Sequence, residues 1–164
     1  MQDTRSKIVT PQAMAEIARK LQAEGKTVVH CHGVFDLVHP GHINYFEQAK
    51  KIGDVMYVGI VADRFVRKGP DRPRFKEDVR LPWIAALECV DYVVLNEHEG
   101  PWDLMRLCRP NFYTKGESER AKLENPESGL SQDKRTMEEI GGELRFTPEV
   151  EIHSTDLFNA FDKK

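Results

Sequence analysis

Cysteine is scarce in this chain: Cys31, Cys89 and Cys108 are widely spaced and form no Cys-x-x-Cys pair. That argues against a disulfide-stapled secreted fold and for reduced thiols in a cytoplasmic setting. Long apolar runs are missing too. None approaches the ~20 residues of a membrane-spanning helix, so no membrane partner is expected. The opening Met-Gln-Asp-Thr-Arg-Ser-Lys has no signal-peptide core. Positive charge is not in excess, since the net charge is −3, and nucleic acid is not expected as a partner. Repeats and low-complexity tracts are absent. What remains is ordinary for a globular protein, with 40% hydrophobic and 31% charged residues. A length of 164 residues suits one domain over 1–164, residues 1–25 forming an N-terminal helix packed on it.

What is present is an alternation of apolar runs and helical patterns. Thr10-Pro11 offers a capping hydroxyl followed by proline at the first helical position; Met14, Ile17, Ala18 and Leu21 then recur at helical spacing until Gly25. Strands are expected at 27–31, 55–61, 91–95, 112–114 and 143–146. Helices are expected after His42 and at 80–88, 101–109, 131–140 and 154–161. A proline inside a helix costs ~3 kcal/mol, so the third helix is placed to begin near Arg80, with Pro82 in its first turn. Residues 117–130, polar and interrupted by Asn125-Pro126 and Gly129, read as a surface loop. The rhythm predicts an α/β fold: a single Rossmann-like domain whose open parallel sheet of about five strands is flanked by helices. Ligands of such sheets bind beyond the carboxyl ends of the strands. Gly33 to His42, Asp63, Lys68 to Arg72, Lys115 and Ser154 all fall there.

The densest chemistry lies in Val28–His42, which reads as strand, glycine turn and helix. Gly33 permits a turn or a close approach. His39 and His42, about one turn apart, stand where a helix N-terminus presents free N–H groups to anions. Donors preorganised there can contribute a few kcal/mol to a phosphoryl transition state. The other readings are ordinary polar contacts or a zinc site shared with His30 and His32. Alternate strand residues point the same way, however, and do not converge as zinc ligands must. No metal ligands are therefore assigned, and His30 and His32 are read as structural.

Gly33-Val34-Phe35-Asp36 followed by His39-Pro40-Gly41-His42 resembles the HxGH signature of the nucleotidyltransferase superfamily, over roughly Lys26 to Phe161. Its sugar branch, the heptose-1-phosphate adenylyltransferases, is most similar, with glycerol-3-phosphate cytidylyltransferase as a nearby relative. The resemblance implies an enzyme that joins a nucleoside triphosphate, ATP favoured, to a phosphorylated sugar or polyol, and that uses Mg2+ and forms a homo-oligomer, a dimer. It implies His39, His42 and Lys50 in catalysis. Gly33, Val34, Phe35, Asp36, Gly41, Asp63, Lys115 and Gly116 would hold the nucleotide, with Ser154 and Thr155 opening the last helix. Lys68, Arg72 and Arg80 would meet the substrate phosphates. Asp36, Lys50, Lys68 and the Ser154-Thr155 pair also have plainer readings as cap, solvated lysines and N-cap. The loop 67–76 is expected to be mobile when empty. Two departures bear on the acceptor: Asp156 stands where the heptose branch usually carries threonine, and 117–129 is longer than in that branch. A cytidylyltransferase acting on a polyol phosphate and a nucleotide-binding module without turnover are the alternatives.

Overall fold

In the computed structural model, which describes residues 3–148, six parallel strands form one sheet flanked by helices. The strands are β1 (Ile8–Val9), β2 (Val28–Gly33), β3 (Val55–Val61), β4 (Tyr92–Asn96), β5 (Phe112–Gly116) and β6 (Glu143–Thr147). The helices are α1 (Pro11–Ala23), α2 (Pro40–Lys50), α3 (Glu77–Ala85), α4 (Trp102–Cys108) and α5 (Gly129–Ile140). The sheet order is β1-β4-β3-β2-β5-β6. From β2 the chain winds outward through β3 and β4, then returns to the other side of β2 for β5 and β6. The crevice between the carboxyl ends of β2 and β5 is therefore the topological switch point, where such sheets hold ligands.

Alternation along the buried strands divides the core. Val29, Cys31, Met56, Val58 and Ile60 face α2 and α3 with Phe46, Ala49, Ile84 and Ala85. Val28 and Tyr57 face α1 and α4 with Met14, Ala18, Leu104 and Cys108. A smaller cluster of Met105, Tyr113, Met137 and Ile140 seats α5. Thr10 caps α1 through its side chain, as the sequence predicts, and Gly141 ends α5 in the left-handed region at φ 79°.

Three expectations need correction. The sheet has six strands where about five were expected, the extra one being Ile8–Val9 paired with β4. Helix α3 starts at Glu77, three residues before the expected start, so Pro82 lies inside it. Tertiary bonds override that local cost: Glu77 accepts from the Asp63 N–H at 2.7 Å, and Arg80 is buried among four acceptors. Residues 117–124 form a 3-10 helix rather than a loop. It leads into α5, where the Ser128 side chain accepts from the Ser131 N–H and donates to the Lys122 carbonyl. The expected helix at 154–161 lies outside the described residues.

Candidate active site

The turn after β2 is tightly determined. Phe35 is in the left-handed region at φ 49°, which costs a non-glycine residue about 1–3 kcal/mol. Its ring is held against Phe46, centroids 4.9 Å apart, and edge-on to His42 at 5.2 Å. Gly33 is glycine because of that ring: a Cβ there would stand 2.9 Å from Phe35. The turn sends the Asp36 carboxylate toward the basic loop. It accepts from the N–H groups of Arg74 and Phe75 at 3.1 and 2.9 Å and from the Arg72 guanidinium at 2.9 Å. Burial alone would raise the Asp36 carboxyl; these donors outweigh it and hold the carboxyl below its ordinary value. The far half of loop 67–76 is thus anchored, while Gly69, Pro70 and Asp71 remain exposed. Asp36 acts by positioning the loop.

His39 is the N-cap of α2, without a side-chain capping bond, and Pro40 follows as the first helical residue. The rings of His39 and His42 stack 3.8 Å apart at 28°. His42 is driven to a pKa of about 4, by burial first and then by His39, against a backbone hydrogen bond at Leu37. Its ring is uncharged at neutral pH. Tyr45, one turn along, donates to the Thr114 carbonyl at 2.7 Å and so ties α2 to β5. That contact fixes the histidines relative to Lys115 and Gly116 at the end of β5. Lys68 lies close enough to depress His42 further; desolvation first and Arg72 next hold its own ammonium below the ordinary lysine value. The structure thus gathers His39, His42, Gly41, Lys68, Arg72, Lys115 and Asp36 around the switch point.

Two residues expected at the site are placed elsewhere. Lys50 lies eight residues beyond His42, ~12 Å along the helix axis. It reaches the amino ends of β3 and β4, donating to the Asp54 carbonyl at 2.7 Å and pairing with Asp91. Lys50→Met is expected to leave kcat/KM unchanged and lower stability by about 1 kcal/mol, read by thermal melting beside a steady-state assay. A large loss of turnover in a folded variant would overturn this. Arg80 is fully buried. Its guanidinium donates to the Phe75, Val34 and Val61 carbonyls at 2.9, 2.6 and 2.8 Å and to Asp63 at 2.7 Å. Four of its five N–H groups are taken and the whole guanidinium is sealed from solvent, so it is not open to an acceptor phosphate; Arg80 and Asp63 brace the strand ends beneath the loop. Ser154 and Thr155 lie outside the described residues.

On the opposite sheet face, His30 stacks on Tyr57 with centroids 4.4 Å apart. Both of its ring nitrogens are sealed without a hydrogen-bond partner, and burial pushes its pKa well below the ordinary value. Burial likewise takes His32 to about 3. Histidines 30, 32 and 42 are thus held neutral in the fold, while in the unfolded chain they take protons near pH 6.5. Below that pH the unfolded chain binds more protons, so stability is lost as pH falls from 6.5 toward 4, by up to ~1.4 kcal/mol per unit for each histidine. Acid unfolding followed by circular dichroism is expected to begin near roughly pH 6, and His42→Asn is expected to move it lower. Flat stability from pH 7 to pH 4 would contradict the assignment.

A parallel sheet with this switch point, entered by a stacked histidine pair at a helix start, is that of a nucleotidyltransferase-type domain. The family model described as cytidylyltransferase-like matches residues 30–157. Over 155 residues the chain is 37% identical to the bifunctional protein HldE of Trichlorobacter lovleyi, covering 93% of this chain and 30% of that protein. Over 116 residues it is 40% identical to the bifunctional protein HldE of Aliarcobacter butzleri, covering 70% of this chain and 24% of that one. A solved structure of the lipopolysaccharide core biosynthesis protein from Thermoplasma volcanium is 25% identical, with a TM-score of 0.62, over 79% of this chain and all of that one. The chain belongs to the cytidylyltransferase-like family. It spans about three tenths of the length of HldE from Trichlorobacter lovleyi.

Proposed function

We propose that the chain transfers a nucleoside monophosphate from a triphosphate, ATP favoured, to a sugar phosphate such as heptose 1-phosphate, releasing pyrophosphate. The observation that carries this is the histidine pair stacked at the start of α2, with His42 held uncharged and Lys68 close to it, at the switch point where β5 brings Lys115. The likeness to HldE proteins and the motif's resemblance to the heptose-1-phosphate adenylyltransferase branch favour the sugar acceptor. An acceptor phosphate oxygen attacks the α-phosphorus, the bond to the bridging oxygen breaks, and pyrophosphate leaves in line with no covalent enzyme intermediate. His39 and His42 donate N–H groups to the phosphate oxygens as their charge changes. Lys68 and Lys115 neutralise the triphosphate from either side, and Asp36 holds Arg72 and the loop in register.

Among the described residues no three His, Cys, Asp or Glu side chains converge as a metal site, and Asp36 and Asp63 are engaged by Arg72 and Arg80. The described residues thus offer no ready-made magnesium cage, and magnesium is best read as the counter-ion that arrives with the triphosphate. A reducing cytoplasm, where triphosphates are made, and a dimer complete the reading. No helix of the described residues is long and apolar enough to cross a membrane.

The test is pyrophosphate release, with magnesium supplied, from a panel crossing four triphosphates with sugar and polyol phosphates. Turnover of ATP with heptose 1-phosphate is expected. Turnover only of CTP with a polyol phosphate would move the chain to the cytidylyltransferase branch. Nucleotide binding without pyrophosphate release from any pair would leave a binding module.

A further inference from the structure

The sequence reading assigns His32 a structural part, and the geometry points further. His32 is the last side chain of β2 before Gly33, on the same sheet face as His30, at the lip of the crevice between β2 and β5. Its register partner on β3 is Gly59. A Cβ on Gly59 would stand 3.0 Å from His32 Cδ2 and 3.0 Å from His30 Nε2, so this glycine makes room for the two imidazoles.

The ring's tautomer is set from behind. Asn96, buried at the end of β4, has its Nδ2 3.2 Å from the His98 carbonyl and 2.9 Å from the Gly100 carbonyl. Two carbonyl oxygens beside one end of an amide fix that end as the nitrogen, because its oxygen would be repelled. The same nitrogen lies 3.0 Å from His32 Nε2. The two amide hydrogens are shared among these three neighbours, and an Nε2–H would set a third hydrogen against them, so Nε2 is the bare nitrogen and the proton of the neutral ring sits on Nδ1. Both nitrogens of the neighbouring His30 are sealed. The Nδ1 of His32 is not sealed: the residue keeps 9% of its surface, and no described group bonds that nitrogen.

We propose that His32 is a specificity-determining residue: its Nδ1–H donates to a hydroxyl oxygen of bound substrate, and Asn96 is the positioning residue that holds it as a donor. The assignment rests on the transfer reading above. The chemistry selects a hydroxyl over a phosphate. Nε2 already faces a donor, so the ring cannot take a second proton without breaking the Asn96 contact, and it stays an uncharged donor. A cation suited to phosphate, Lys115, stands near it and leaves that part to be met by charge. Two parts of the substrates carry such hydroxyls: the nucleotide ribose and the sugar or polyol acceptor.

The test uses the full chain with 15N-labelled histidine. Long-range 15N–1H correlation at pH 7.5 is expected to report the Nδ1–H tautomer for His32, and a shift to the Nε2–H form is expected in Asn96→Asp. Titration with a non-hydrolysable triphosphate analogue, or with the acceptor phosphate alone, should move the Nδ1 resonance for whichever one brings the hydroxyl. In kinetics, His32→Phe is expected to raise the KM of that one substrate about tenfold, as loss of one hydrogen bond implies, with kcat changed much less. His32→Asn, whose amide nitrogen can take the place of Nδ1, should recover most of the loss, and His32→Gln should not. An Nε2–H tautomer in the wild-type chain, or unchanged KM for both substrates in a folded His32→Phe variant, would overturn the proposal. If no pair of substrates releases pyrophosphate, the transfer reading fails. The tautomer and titration spectra then decide His32 on their own: an Nδ1–H resonance moved by the analogue sustains it, and one moved by neither ligand ends it.

Discussion

Arg80→Met is expected to lower the stability of the fold by about 3–5 kcal/mol, the usual result of removing one partner of a buried ion pair. Three carbonyls and Asp63 lose their donor at once, and methionine fills the volume without replacing any bond. Against a total of about 5–15 kcal/mol this is a large fraction. For a chain of this size the melting temperature should fall by roughly 10 °C or more. Arg80→Lys should rescue little, because an ammonium cannot span four acceptors arranged for a planar fork. Turnover should fall further than the folded fraction does, since the Phe75 and Val34 carbonyls position the loop and the turn that flank the histidines. Urea unfolding beside an activity assay checks both parts. A variant within 1 kcal/mol of wild type would show that the guanidinium is not needed to join these segments.

His39→Ala and His42→Ala are each expected to lower kcat by ~10²–10³, with far less change in triphosphate KM. The basis is their arrangement: stacked rings at the start of α2, His42 uncharged, both set against β5 by Tyr45. Such donors act most where phosphate charge is redistributed, so their loss falls on the chemical step. The double variant should cost little more than either single one, because the rings act as a unit. Steady-state and single-turnover kinetics distinguish these outcomes. Near-wild-type turnover in both single variants would end the catalytic assignment, and a loss confined to KM would make the pair a binding device.

The structure separates what the chain's pattern makes visible from what it hides. Strand β3 is legible to the residue because burial on both faces leaves an unbroken apolar run, Val55 to Val61. Strand β1 is not, since two residues carry no periodicity. Its position is set by β4 and by Lys7, whose ammonium donates to the Leu87 and Val90 carbonyls 80 or more residues away. The histidine pair is legible because its chemistry is local, a glycine turn and a helix start in consecutive residues. The parts of Asp36 and Arg80 are not. A carboxylate that anchors a distant loop looks in sequence like a cap, and an arginine buried among carbonyls looks like one that meets the substrate phosphates. His32 is hidden for the same reason, its tautomer being fixed by Asn96, 64 residues later. The displacement of Lys50 is different, because the helical rise alone carries it away from His42.

The strand order also governs how the sheet meets its neighbours. Its flanks are β1 and β6. The first is two residues long and runs into Thr10-Pro11. The second carries Glu143 and Arg145, paired with one another, and Arg145 lies over the Phe112 ring at 3.9 Å. A stub and a charged strand make poor templates for the backbone of another chain. Strand exchange and fibril-like stacking are disfavoured at both flanks of the described sheet, and among the described residues the large apolar side chains left exposed, Ile43, Val79, Trp83 and Leu107, all stand on helices.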